Sequence, residues 1–339
     1  MSGTRSGLLQ ALGGESGCKR LSAEFYARVR NDAVLRPLFP GKSIRCATEE
    51  FAAFLIQFLG GDEDQAQFRW WLSLRESHAR FRIGAAERSA WLKHMQATLD
   101  AAPIDEDTRK ALRQFFFQSS AYVIGKEAAA PEFEELGARW AEQCALDETI
   151  AAISGGRVEK ALASTPRFAS RPSVFVGLLA RMMQSRRDAL IRFAIDAVER
   201  DPSLTMRRFA GRTLLHYASG AGCPDVVEAL LRLGADPNTR DGGGHTPLYR
   251  VANECGWDAG PEIVRALVAA GGDVNACRGV TRATPLHMAA RRGFVGIAQA
   301  LLDCGAAAGA KDIKGVTPLQ RALNCRKKDV ARLLKEPGR

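Results

Sequence analysis

No apolar run in this sequence approaches the ~20 residues that a membrane-spanning helix needs. The longest lies around Phe51 to Leu59. The opening residues, MSGTRSGLLQALGGESG, contain no apolar segment of secretory length, so no signal peptide is expected. Eight cysteines, at 18, 46, 144, 223, 255, 277, 304 and 325, form no Cys-x-x-Cys pair and no metal-ligand spacing. They read as reduced core thiols. Aromatic residues are few, at 7%, and are not interleaved with arginine as a single-strand nucleic-acid platform requires. Flavin and nicotinamide fingerprints are absent, as are helix-turn-helix, kinase, cyclase and phosphodiesterase signatures. The sequence therefore predicts a cytoplasmic protein with neither membrane nor nucleic acid as a partner.

What is present describes a globular chain of two parts. At 339 residues it exceeds one ordinary domain, and 46% apolar with 25% charged residues excludes wholesale disorder. The net charge of +10 is unevenly placed. Residues 1–127 are nearly balanced, whereas 167–212 hold 10 basic and 4 acidic residues and 311–339 hold 9 and 3. Such segments read first as solvated helix faces and second as attraction for an acidic protein partner.

Internal repetition governs the C-terminal half. Thr213-Leu-Leu-His216, Thr246-Pro-Leu-Tyr249, Thr284-Pro-Leu-His287 and Thr317-Pro-Leu-Gln320 recur at spacings of 33, 38 and 33. Apolar helical strings follow, and then Gly-rich turns such as Gly234-Ala-Asp-Pro-Asn238 and Gly271-Gly-Asp-Val-Asn275. Each residue type has a local reason. Thr caps a helix N-terminus, Pro fits its first position, and Gly ends a helix in a left-handed conformation. The extra residues of the 38-spacing fall mainly in Asn253 to Gly260. This pattern resembles the ankyrin repeat, and the resemblance implies a protein partner bound through the array. Two weak units, at Ile150 and from Leu178 to Pro202, read as an N-terminal cap. His216 and His287 occupy the repeat's own histidine position and are expected to bond backbone and the repeat Thr. His245 is expected in an exposed turn. Trp257, in the inserted loop, is the candidate partner contact, because exposed Trp is enriched at binding hot spots; folding back over the insert is the other reading.

Residues 8–125 show helical stripes and no strand pattern: Leu21, Phe25 and Val29; Phe51, Phe54, Leu55 and Phe58; Leu92, Met95 and Leu99. Gly13-Gly14 and Gly60-Gly61 punctuate helix junctions, and Val34 to Pro40 reads as an extended corner. Phe25-Tyr26, Leu38-Phe39-Pro40, Gly60-Gly61, Ser77-His-Ala-Arg-Phe-Arg-Ile-Gly84 and Ala90-Trp91-Leu92 together resemble the truncated haemoglobins. The nearest group pairs a distal Tyr with a Trp on the penultimate long helix.

The resemblance implies haem b as cofactor, with His78 as its axial iron ligand, and O2, NO or CO as the diatomic ligand. Tyr26 and Trp91 match the distal donors. Phe39 matches the ring against the haem face, and Ala47 a position that often carries a distal histidine. Phe51 would wall the distal side; Phe81 and Ile83 would line the proximal edge, with Met95 an apolar neighbour. His94 is expected to have no haem role. Glu50 stands where the family often has a basic residue for a haem propionate, leaving Arg75, Arg80 or Arg82 to neutralise it.

The expected fold is all-α dominated: an N-terminal truncated, two-over-two globin and a C-terminal ankyrin-repeat solenoid with short finger turns. Expected boundaries are 1–127 for the globin-like domain, 128–146 for a connecting helix, and 147–336 for the array. Within the array, 147–210 are degenerate or capping units and 211–336 hold four recognisable repeats. The leading functional expectation is a gas or redox sensor, or a partner-targeted oxygen-binding protein. The alternative is a haem enzyme, an NO dioxygenase or peroxidase-like, which would need an external reductant.

Overall fold

The structure is a computed structural model that describes residues 7–40, 43–61, 74–78, 81–125, 134–277, 279 and 281–335. Arg80 and residues 128–133 of the expected connecting helix lie outside the described residues. The chain divides into two compact units, Met1–Ala151 and Ala152–Arg339. Helices build both, and among the described residues the strands are confined to one short antiparallel pair.

The first unit contains α1 (Gly7–Ala11), α2 (Gly14–Val29), α3 (Ser43–Phe58), α4 (Leu74–His78), α5 (Ala85–Ala101), α6 (Glu106–Val123) and most of α7 (Glu134–Ser154). Gly13 and Gly14 both adopt positive φ, at 85° and 69°, and so break α1 from α2 where a side chain would be strained. After α3, Gly60 turns left-handed at φ 87° and the Gly61 N–H donates to the Ile56 carbonyl at 2.7 Å. That closes the helix with its last carbonyls satisfied. Asp105 caps α6 by accepting from the Thr108 N–H at 2.8 Å.

Helix α2 packs on α3 and α5, and α6 on α4 and α5. Phe25, Leu55, Leu99, Leu112 and Phe115 close the core, together with Leu136 and Trp140 from α7. Helix α7 runs through the expected junction at 146–147, and the division between units falls at Ala151–Ala152.

In the second unit, α8 (Val158–Ser164) precedes five helix pairs: α9 (Pro172–Ser185) with α10 (Asp188–Arg200), α11 (Leu214–Ala221) with α12 (Pro224–Arg232), α13 (Pro247–Glu254) with α14 (Gly260–Ala269), α15 (Pro285–Arg292) with α16 (Val295–Asp303), and α17 (Pro318–Asn324) with α18 (Lys328–Lys335). First helices stack on first helices and second on second, from α9 and α10 to α17 and α18. Each pair thus buries its apolar face only against its neighbours, the logic of a solenoid. The strand pair, β1 (Arg208–Phe209) and β2 (Arg212–Thr213), brackets Ala210 and Gly211, both left-handed as a tight hairpin turn requires. Fourteen residues separate Pro247 from Pro261, against ten from Leu214 to Pro224, so the insertion lies mainly between α13 and α14.

Candidate functional site

In the first unit aromatic residues from separate segments, Tyr26 on α2, Phe39 after it, Phe51 on α3, Phe81 and Trp91 on α5, are brought together by the fold. Tyr26 on α2 meets Phe39 at 5.6 Å and Phe51 on α3 at 6.2 Å, both edge to face. Phe39 continues to Phe81 at 6.1 Å, and Phe51 to Trp91 on α5 at 6.4 Å. Tyr26, Phe39, Phe51 and Trp91 are only partly buried, yet they pack against the closed core of Phe25, Met95 and Phe116. They form a partly buried aromatic layer lying on that core. Burial, and then the charge of Glu50, push the Tyr26 phenol well above its ordinary pKa. Its hydroxyl therefore stays protonated, and a donor, at any physiological pH.

His78 ends the short helix α4. Its Nδ1 lies 2.8 Å from the Leu74 carbonyl oxygen and 2.9 Å from Ser77 Oγ, while Ser77 Oγ donates to the same carbonyl at 2.8 Å. A carbonyl only accepts, so Nδ1 carries a proton at this contact. That is the arrangement a metal-ligating histidine presents at its other ring nitrogen, oriented by a backbone carbonyl. The Phe81 N–H donates to the His78 carbonyl at 2.9 Å, which ties the aromatic layer to this helix.

Ala47 sits partly buried on α3 one turn before Phe51, and Ile83 is partly buried just after Phe81. Met95 is fully enclosed in the core one turn beyond Trp91. His94 Nε2 instead bonds Asp32 Oδ2 at 2.7 Å, a surface link between α5 and the loop after α2. Of the arginines expected to neutralise a haem propionate, Arg75 has its guanidinium 3.7 Å above the Tyr122 ring. Arg82 is exposed.

One feature of this region has no sequence signature. Asp147 on α7 is buried and caps α4, accepting from the Leu74 N–H at 2.9 Å and the Arg75 N–H at 3.2 Å. Gln143 adds a third donor at 3.0 Å. Burial pushes the Asp147 carboxyl above its ordinary range, and these donors, with Tyr122, offset that only in part.

In the second unit His216 and His287 are structural, as expected. His216 Nδ1 bonds Thr213 Oγ1 at 2.8 Å and its Nε2 donates to the His245 carbonyl at 3.0 Å. His287 repeats this with Thr284 at 2.9 Å and the Val316 carbonyl at 2.9 Å. His245 is not in an exposed turn. It is largely buried against Tyr249, ring centres 4.3 Å apart, with Nδ1 3.0 Å from Asp241 Oδ1. The reason is Asp241, whose carboxylate also collects the Gly243 and His245 N–H groups and Arg250. Asn238 and Asn275 stitch successive turns, each bonding backbone of the next repeat on both sides of its amide. Trp257 is 52% exposed, with the Arg186 guanidinium 4.1 Å over its ring. Among the described residues no cluster of His, Cys, Asp and Glu could hold a metal ion, and no helix is long and apolar enough to cross a membrane.

Comparison with known families matches each unit separately. Residues 7–122 match the bacterial-like globin family, and residues 198–249 and 248–339 match ankyrin repeats. The chain is a fusion of a bacterial-like globin and ankyrin repeats. A globin of this family implies haem with a gas ligand, and ankyrin repeats imply a protein partner.

Curated relatives include a B-cell lymphoma 3 protein homolog from Mus musculus, 32% identical over 130 residues, covering 38% of this chain and 28% of that protein. Ankyrin repeat and SOCS box protein 16 from Homo sapiens is 34% identical over 139 residues, covering 39% of this chain and 30% of its own length. Alpha-latrotoxin-Lg1a from Latrodectus geometricus is 36% identical over 116 residues, covering 33% of this chain and 8% of its own. The chain therefore spans less than a third of the length of these relatives.

Proposed function

We propose that the globin domain holds haem b through His78 and that the protein is a gas- or redox-responsive binding protein whose ankyrin array engages a protein partner. The observation that supports this reading is His78, with Nδ1 held by the Leu74 carbonyl, beside a partly buried aromatic layer that includes two hydrogen-bond donors. Haem supplies an iron centre that binds a diatomic ligand reversibly. His78 would hold the iron, with Leu74 fixing the ring's orientation. Phe39, Phe51, Phe81 and Ile83 would wall the macrocycle, with Ala47 adding little bulk and Met95 backing the wall from the core. Tyr26 and Trp91 would donate to a polarised ligand, each such bond contributing about 1.5–3 kcal/mol.

The haem domain in this reading is 1–127, joined through 128–146 to an array over 147–336. All eight cysteines are unpaired thiols, which supports a reducing, cytoplasmic setting. Trp257 is the array's proposed contact: Arg186 stacks on its ring, an edge lies against Gly222, and about half of the residue is exposed to a partner.

The test is an absorption spectrum of the haem-reconstituted full chain beside His78→Ala. A Soret band that shifts on reduction and on adding CO, and that is lost or altered in the variant, is the expected result. A chain that takes up no haem would overturn the reading.

A further inference from the structure

One peptide group joins two side chains of the first unit, His78 and Asp147, that are far apart in sequence. The carbonyl of Leu74 and the N–H of Arg75 belong to the same planar amide. Its oxygen accepts from His78 Nδ1 at 2.8 Å, and its N–H donates to Asp147 Oδ2 at 3.2 Å. The other carboxylate oxygen takes the Leu74 N–H at 2.9 Å and Gln143 at 3.0 Å. Asp147 lies 72 residues beyond Arg75, on a helix outside the 7–122 stretch that matches the globin family. Among the described residues helix α4 spans five, Leu74–His78, and so short a helix gains from an external anchor because helix nucleation is unfavourable in isolation. A buried carboxylate on its first two N–H groups supplies what the short helix lacks.

We infer that Asp147 is a positioning residue for His78: it anchors α4 and, through the Leu74–Arg75 peptide group, strengthens the acceptor that holds the His78 Nδ1 proton. A negative charge on the N–H side of an amide polarises its carbonyl, and hydrogen bonds in such a chain reinforce one another. A stronger acceptor at Nδ1 makes Nε2 a better electron donor. The inference rests on the haem reading for its electronic half, since Nε2 is then the iron ligand. Its structural half, that Asp147 holds α4 in place, does not need haem.

The two halves are tested separately on the full chain. Asp147→Asn keeps shape and removes charge, and it leaves one of the two α4 amides facing a donor; Asp147→Ala removes the cap outright. In the haem-free protein, amide hydrogen exchange at Leu74 and Arg75 should quicken by roughly tenfold or more in either variant, the scale of one charged hydrogen bond. Exchange in α2 and α6 should stay as in the wild type, which separates loss of the cap from global unfolding. In the reconstituted ferrous protein, Asp147→Asn should shift the iron–histidine stretch in resonance Raman to lower frequency and raise the reduction potential. Unchanged exchange would overturn the anchoring role. An unchanged stretch in a protein that does bind haem through His78 would overturn the tuning role alone. Failure of the wild type to take up haem would overturn both the haem reading and the tuning, while exchange would still decide the anchoring.

Discussion

Tyr26 and Phe39 meet edge to face, 5.6 Å between ring centres and 85° between planes. The contact fixes the Tyr26 ring on the aromatic layer, so its hydroxyl is held in place without a partner having to order it first. With the phenol kept protonated by burial and by Glu50, Tyr26 is a committed donor.

Tyr26→Phe is therefore expected to speed O2 release from the reconstituted protein by about 10- to 100-fold, equivalent to one hydrogen bond of ~1.5–3 kcal/mol. CO release should change little, because CO is a poor acceptor. Trp91→Phe should act in the same direction. Stopped-flow ligand displacement checks both, and an O2 rate unchanged in the double variant would remove these residues from the site.

Acid should weaken the array before it weakens any carboxylate. Burial holds the folded His216 down to about 4 from its ordinary 6.5, and burial lowers His287 in the same direction. Between about pH 6.5 and 4 the unfolded chain binds a proton that folded His216 refuses, so stability falls as pH falls through that window. The expected loss is a few kcal/mol. His216→Gln, which titrates in neither state, should flatten the profile while lowering stability at pH 7. Thermal unfolding of the full chain from pH 7.5 to 4.5, with amide exchange read in α11, makes the measurement.

Asp241→Ala should cost about 3–5 kcal/mol, because it leaves the nearly buried Arg250 without its carboxylate. Three further donors, the Gly243 and His245 N–H groups and His245 Nδ1, lose their acceptor at the same time. Glu254 also pairs with Arg250 and should limit the damage, so Asp241→Ala with Glu254→Ala is expected to exceed the single variant. Urea unfolding followed by circular dichroism would show it as a lower midpoint with an unchanged slope.

Gly222→Ala should destabilise by about 1–2 kcal/mol. The position has φ 74°, and an added Cβ would come within 2.9 Å of the Trp257 ring and 3.1 Å of Cys255 Sγ. The same change should shift Trp257 emission, since the ring must move off the Gly222 backbone. Gly234→Ala, also left-handed at φ 86° but with nothing within 4 Å, should lose stability without a change in emission.

The repeats were legible in the sequence because their determinants act within one helical turn. Thr246 caps α13 through the Tyr249 N–H at 3.3 Å, Pro247, Pro285 and Pro318 open their helices, and Gly234, Gly271 and Gly305 adopt the left-handed turn. Such residues announce themselves wherever they recur at a fixed spacing. His78, Tyr26 and Trp91 stand out for a different reason, as members of a string of motifs that resembles the truncated haemoglobins, and their roles at haem are the proposal made above. His245 was misread because its environment depends on Asp241 and Arg250, which the spacing of turn residues does not report.

By itself, then, the sequence determined the helices, the repeat count from Thr213 onward and the glycine-marked junctions. Tertiary structure alone decided which side chains meet. It set Tyr26, Phe39, Phe51, Phe81 and Trp91, drawn from separate segments, into one layer, and it brought Asp147 onto the amides of Leu74 and Arg75 across more than seventy residues. The physical reason is range. Caps, prolines and left-handed glycines act on backbone within a few residues, whereas a buried carboxylate finds its donors only after the apolar faces of α6 and α7 have closed the core around it.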